Sequence, residues 1–157
     1  MNSKSVVVSL HIAPGAARPM QTVSEVRAVA GRGLPGDRYF DGTGTYSNYP
    51  GSGREVTLIE SEALTGLSRD YGVDISGDLS RRNIVTYGIA LNHLVGRQFS
   101  IGSVKLQGTR LCEPCAYLER LTRQGVLRGL IHRGGLRAEI VSEGMICVGD
   151  EILPMDG

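Results

Sequence analysis

Short apolar runs separated by glycine-rich breaks recur along the whole chain. They are "SVVVSLHI" (5–12), "VSEVRAV" (23–29), "EVTLIE" (55–60), "NIVTY" (83–87), "QFSI" (98–101), "VKLQGT" (104–109), "LRAEIV" (136–141) and "MICVGDEIL" (145–153). Most are rich in Val and Ile, several alternate apolar with polar positions, and turn-forming residues bound them, which is the pattern of strands or strand pairs. Eight such segments predict a mainly β (α+β) fold, a closed or partly open barrel of about seven to eight strands with a few short helices.

Two stretches carry a helical period instead. After Ser61, "EALTGLSRDYG" places Leu64, Leu67 and Tyr71 on one face, and Gly72 can adopt the left-handed conformation that ends a helix. This predicts a surface helix over one barrel opening. "CAYLERLTRQGVLRGLIH" (115–132) spaces Leu118, Leu121 and Leu127 for two short helices broken at Gly125, the first beginning at Cys115. "DGTGTYSNYPGSG" (41–53) reads as a mobile loop. With no internal repeat and no composition shift, residues 1–157 are expected to form one domain.

Composition narrows the picture. A chain of 157 residues can bury roughly 68–70% of its unfolded surface without a disulfide or a metal. Two phenylalanines and no tryptophan leave the core to Val, Ile and Leu. A net charge of +1 and a pI near 7.8 give no broad field toward nucleic acid or an anionic membrane, so neither is an expected partner and anion binding must be local. Three cysteines, an odd number, with neither a charged leader nor a long apolar run, predict reduced thiols and a cytoplasmic setting.

The candidate chemistry centres on "TRLCEPCAYL" (109–118). A structural zinc site needs four ligands, and beyond this C-x-x-C only Cys147, His11, His93 and His132 are scattered along the chain. A redox pair of the thioredoxin type wants a βαβ frame that the pattern lacks. The remaining functional reading is a single working thiol, Cys115, at a helix start, where backbone N–H groups and the macrodipole favour thiolate. Buried, inert cysteines are the alternative, and Cys147, inside an apolar strand, is expected to be one. "DLSRRNIVTYG" (78–88) brings Arg81, Arg82 and Asn83 to a strand mouth, where planar cationic donors suit phosphate or a carbonyl-rich ring. "IHRGGLRAEIV" (131–141) sets His132, Arg133 and Arg137 around a Gly-Gly turn. Asp37 and Arg38, in "GRGLPGDRY" (31–39), are expected to pin a loop, because the glycines there do not follow a dinucleotide-binding pattern.

In order and spacing, "GLPGDRY", "VTLIESEAL", "GDLSRRNIVTYGIALNHLVGRQFSIGSVKLQGTRLCEPC" and "HRGGLRAEIVSEGMICVGDEI" resemble the MOSC domain, the module named from the C-terminal part of molybdenum cofactor sulfurases. The likeness runs from about Ser5 to Leu153. It implies a barrel comparable to the barrel domain of pyruvate kinase, here as a stand-alone single-domain member. In sulfurases the domain acts beside a pyridoxal-phosphate cysteine desulfurase and was proposed to carry sulfur. In amidoxime-reducing relatives the cysteine matching Cys115 coordinates molybdenum, and an Arg-x-Asn motif matching Arg81 and Asn83 holds the pterin. Those reductases also use an N-terminal domain that this chain is too short to contain, and they carry a serine where Glu113 stands here.

The resemblance therefore implies Cys115 as the catalytic or molybdenum-ligating residue and Arg81 and Asn83 as cofactor-binding residues; Arg82, Thr109, His132 and Arg137 are expected to join them as further cofactor-binding candidates. The implied cofactor is the molybdenum cofactor (molybdopterin), and pyridoxal phosphate would enter only through a partner desulfurase. A cysteine desulfurase or a redox protein is the implied partner. Two other readings stay open: a non-catalytic anion- or partner-binding barrel, and a thiol–disulfide exchanger using Cys112 with Cys115.

Overall fold

The computed structural model describes residues 4–40, 55–114, 116–122 and 124–155. In chain order the elements are β1 (Val6–Ile12), β2 (Gln21–Val23), β3 (Glu25–Ala28), β4 (Val56–Glu60), α1 (Ser61–Tyr71), β5 (Ile84–Tyr87), β6 (Gln98–Ile101), β7 (Val104–Leu111), α2 (Ala116–Leu121), α3 (Val126–Gly129), β8 (Leu136–Ile140), β9 (Gly144–Cys147) and β10 (Ile152–Pro154). Short 3-10 turns cover Asp78–Ser80 and Leu91–Leu94. The expected mobile loop at 41–53 lies outside the described residues.

One eight-stranded sheet runs β10-β6-β7-β8-β4-β5-β1-β2, and β3 pairs with β9 in a separate ribbon. Among these pairs only β4 and β5 are parallel. The long sheet curls until β1 meets the approach to β10: Val6 bridges Glu151, Val7 N–H donates to the Asp150 carbonyl at 3.0 Å, and Ile152 N–H donates to the Ser5 carbonyl at 2.8 Å. The ends are thus joined, as the expected barrel requires. Closure removes edges that would otherwise present unpaired backbone groups.

Strand alternation divides the apolar residues into two cores. Leu10, Leu58, Ile84, Phe99, Ile101, Leu106, Leu136, Ala138 and Ile152 fill the barrel. Ile59 and Val85, on the opposite face of β4 and β5, pack instead with Ala63 and Leu67 of α1, Leu118 of α2, and Val126 and Leu130. This is why "VTLI" is buried without a break: the parallel pair has the barrel on one side and helices on the other. Each fully buried Leu or Ile contributes about 1.5–3 kcal/mol.

The second core corrects the expected position of α1. The helix packs on the outer wall of β4 and β5 and does not lie over an opening, because Ile59 and Val85 need cover there. Its C-terminal stop is the expected one, with Gly72 at φ 66° and its N–H returned to the Ser68 carbonyl. At the other end Glu60 stands in the cap position, and its carboxylate accepts the Leu91 N–H at 3.3 Å. Gly125, at φ 100°, separates α2 from α3. Among the described residues no helix is long and apolar enough to cross a membrane.

Candidate functional site

The site is built around the start of β5. The 3-10 turn closes at Arg81 in a left-handed conformation (φ 63°), and the next two residues enter the sheet between β4 and β1. Asn83 N–H donates to the Thr57 carbonyl at 3.0 Å, and the Asn83 carbonyl accepts His11 N–H at 2.7 Å. The Asn83 side chain is buried and fully used: Oδ1 accepts the Thr57 N–H (3.0 Å) and hydroxyl (3.2 Å), while Nδ2 donates to the His11 carbonyl (3.1 Å) and Asp37 Oδ1 (3.2 Å). Asp37, wholly buried, also accepts from Ala13 N–H, Arg38 and Tyr39 N–H. Arg38 reaches on to the Arg81 carbonyl at 3.2 Å. "GDRY" is therefore tied to "RRN", with Asp37 and Arg38 in the expected pinning role.

Arg82 turns toward the cysteine-bearing segment. It is 7% exposed; its Nε donates to the Gly134 carbonyl at 2.8 Å, Nη2 to the Cys112 carbonyl at 3.0 Å and Nη1 to the Ser80 carbonyl at 3.5 Å. Cys112 N–H in turn donates to the Gly135 carbonyl at 2.7 Å. One residue on, Glu113 Oε1 accepts His132 N–H at 2.8 Å, and Oε2 lies 3.1 Å from His132 Nδ1. A Cβ on Gly134 would sit 2.5 Å from the Cys112 carbonyl oxygen and 2.8 Å from Pro114 Cδ, so only glycine permits this approach. The Gly-Gly pair at 134–135 thus serves close backbone packing against residues 112–114.

The candidate residues divide accordingly. Arg82 bonds directly to Cys112 and His132 to Glu113, two of the three residues before Cys115. Thr109 and Arg137 stand beside them on β7 and β8, where the Thr109 hydroxyl donates to the Arg137 carbonyl at 3.0 Å. Arg81 donates to the Arg18 carbonyl, and Asn83 belongs to the Asp37 node. Cys115 itself lies outside the described residues. Glu113 and Asp37 are site-building residues whose partners the sequence pattern did not reveal.

The remaining thiols differ in environment. Cys112 is buried at 2% exposure. Cys147, expected to be buried, is only half-buried, with Sγ 3.9 Å from Glu25 Oε2; desolvation, and then the Asp150 and Glu25 carboxylates, push its thiol up. Among the described residues no group of three His, Cys, Asp or Glu could hold a metal ion.

His11 is buried between the Ser9 hydroxyl (2.8 Å from Nε2) and the Thr22 hydroxyl (3.0 Å from Nδ1). Burial lowers its pKa below the ordinary 6.5, against a smaller upward pull from Asp78. The unfolded chain therefore takes up this proton first as pH falls, so stability present above pH 6.5 is lost below it. Urea denaturation across that window should show His11→Gln with a flatter pH slope than wild type. Glu55 and Glu60, pushed up mainly by burial, act with the opposite sign: their contribution is lost as pH rises above 4.5.

A small helix-backed β-barrel whose buried arginine holds a cysteine-bearing loop is the class of protein these features define. The model of the MOSC domain family matches residues 11–153, and the chain belongs to that family. The family is associated with molybdenum cofactor binding and sulfur-related function. Solved structures show the same fold. The YuaD protein from Bacillus subtilis superposes with a TM-score of 0.79 at 17% identity, covering 94% of both chains. YiiM from Geobacillus stearothermophilus gives 0.72 at 15% identity, covering 97% of this chain and 75% of that one. YiiM from Escherichia coli gives 0.68 at 14%, covering 97% and 70%. No curated protein matches the chain.

For a pterin cofactor the described residues fit in part. Asn83 has no free donor or acceptor for a pterin ring, and two Arg82 nitrogens are held at short range by carbonyls. Arg137 makes no side-chain ion pair or hydrogen bond to a described residue and is the candidate suited to an anionic end.

Proposed function

We propose that this chain is a molybdenum-cofactor-associated module in which Cys115 carries sulfur as a persulfide. The observation that supports this reading is the clasp on residues 112–114. A buried guanidinium with no carboxylate in ion-pair range among the described residues holds the Cys112 carbonyl, three positions before Cys115. A cation there favours thiolate over thiol. Burial of Cys112 argues against the Cys112/Cys115 exchanger, since a resolving thiol must be reached.

In the proposed step the Cys115 thiolate attacks the outer sulfur of a donor persulfide. A bond forms between Cys115 Sγ and that sulfur, the donor's S–S bond breaks, and the donor leaves as a thiolate with the electron pair. No oxidant is consumed. A cysteine desulfurase, itself using pyridoxal phosphate, is the donor of fitting chemistry, and the cytoplasm is the setting that keeps such thiols reduced.

A second reading, Cys115 as a molybdenum ligand in a small reductase supplied by a redox partner, draws support from Arg137. A bound molybdenum cofactor would supply the redox chemistry, and Arg137 with Thr109 would hold its anionic end. Wild type and Cys115→Ser, purified from a molybdate-fed host, separate the readings. Loss of cyanide-releasable sulfur with unchanged metal is expected for the carrier; loss of molybdenum and of pterin fluorescence after oxidation is expected for the ligand. Two proteins equal in all three measurements would overturn both.

A further inference from the structure

We infer that Arg110 and Arg137 form a binding site for a doubly charged oxyanion group on the outer wall of the barrel. The two residues are direct partners across β7 and β8, in a row that continues to Thr57 on β4. Directly opposite residues share a face, with Cβ atoms about 4.5–5.5 Å apart, and like charges so placed destabilise a sheet. Leu136 and Ala138, flanking Arg137, are wholly buried in the barrel, so Arg137 points outward, and Arg110 shares its face.

This juxtaposition depends on a bulge. Gly108 pairs with Ala138 and Arg110 with Arg137, so one residue of β7 is extra. Regular register would set neutral Thr109 opposite Arg137. The bulge puts a second arginine there, and the Thr109 hydroxyl fastens it to the Arg137 carbonyl. Bulges commonly re-aim a side chain next to a functional site.

Neither arginine has a counter-ion among the described residues. The ion pairs present join Arg27 to Glu143, Arg38 to Asp37, Arg69 and Arg133 to Asp70, and His132 to Glu113. The nearest acids along β8 and β4 look elsewhere: Glu139 is opposite Gln107, and Glu55 accepts the Ile140 N–H at 2.9 Å. Two planar forks side by side match the several oxygens of a phosphate or sulfate group. Arg110 lies two residues before Cys112, and Gly135, which holds the Cys112 N–H, lies two residues before Arg137. The pair therefore flanks the segment that leads to Cys115.

The inference deepens the proposed function and rests on it for what the oxyanion belongs to, either an anionic substrate or sulfur donor, or the terminal phosphate of a cofactor. The probe is inorganic phosphate, titrated calorimetrically into the full chain. Wild type should bind it, and Arg110→Gln or Arg137→Gln should each weaken binding about tenfold or more. Arg110→Glu should abolish binding and raise phosphate-free stability by pairing with Arg137, with circular dichroism confirming the fold of each variant. No binding by wild type, or binding that these variants leave unchanged, overturns the inference. Pterin content falling with phosphate affinity assigns the site to a cofactor's phosphate; unchanged pterin content assigns it to a free anion. Cys115→Ser that equals wild type in cyanide-releasable sulfur, molybdenum and pterin while still binding phosphate marks a failure of the thiol reading without a failure of this one.

Discussion

Arg82→Met is expected to lower the unfolding free energy by about 2–5 kcal/mol while leaving most of the hydrophobic volume filled. The guanidinium is the hydrogen-bond donor to the Gly134 and Cys112 carbonyls and reaches the Ser80 carbonyl as well. Methionine removes those donors and leaves the acceptors in a site that is 7% exposed. Each buried acceptor left unsatisfied costs about 1–3 kcal/mol, a large fraction of a domain stability of roughly 5–15 kcal/mol. Arg82→Lys keeps the charge but replaces a rigid fork with a single ammonium that cannot serve carbonyls from three separate segments. It should fall between wild type and Arg82→Met in urea denaturation. On the proposed thiol reading the same series should slow alkylation of Cys115 at neutral pH, with Arg82→Met slowest, since the cation that holds the Cys112 carbonyl, three positions before Cys115 in sequence, is gone. Wild-type stability together with wild-type alkylation in Arg82→Met would refute the clasp.

The strands were legible because the barrel walls obey one rule: alternate positions go inside. "SVVVSLHI", "EVTLIE", "QFSI" and "LRAEIV" became β1, β4, β6 and β8 within a residue or so. Two runs are the strand pairs that the reading allowed, "VSEVRAV" divided between β2 and β3 and "MICVGDEIL" between β9 and β10, but strand propensity does not say which runs divide or where the chain changes sheets. Helix positions were legible from the 3.6-residue period, but the wall that α1 covers was not. Ile59 and Val85 look the same in sequence whether they face a barrel interior or a second core. At the site, composition drew Arg81, Arg82 and Asn83 together as donors for a ligand. The partners of Arg82 and Asn83 turned out to be long-range: Gly134 and Cys112 for the first, Thr57, His11 and Asp37 for the second. Sequence spacing carries the type of a side chain and not the distant carbonyl it meets. The Arg110–Arg137 juxtaposition was equally hidden, since it depends on a one-residue bulge.

Gly135→Ala should have the largest effect on stability, at least about 4 kcal/mol, and Gly72→Ala supplies the comparison that isolates its cause. Both glycines have positive φ, 119° and 66° respectively. Backbone strain alone costs an alanine about 1–3 kcal/mol in such regions. At Gly72 nothing lies within 4 Å of the added Cβ, so strain is the whole penalty. At Gly135 the Cβ would stand 2.0 Å from the Leu58 carbonyl oxygen, with no flexible side chain to yield. The only relief is to move β8 away from β4 just where Leu58 pairs with Leu136, which loosens the barrel core on one side. Because the Gly135 carbonyl also holds the Cys112 N–H at 2.7 Å, the same displacement pulls on residues 112–114 and on the Arg82 clasp. Gly135→Ala should therefore alter Cys115 alkylation under conditions where the variant is still folded, whereas Gly72→Ala, also at positive φ but remote from that segment, should not. Equal losses of stability in the two variants, measured by urea denaturation, would show that β8 does not approach β4 as closely at this point as the fold requires.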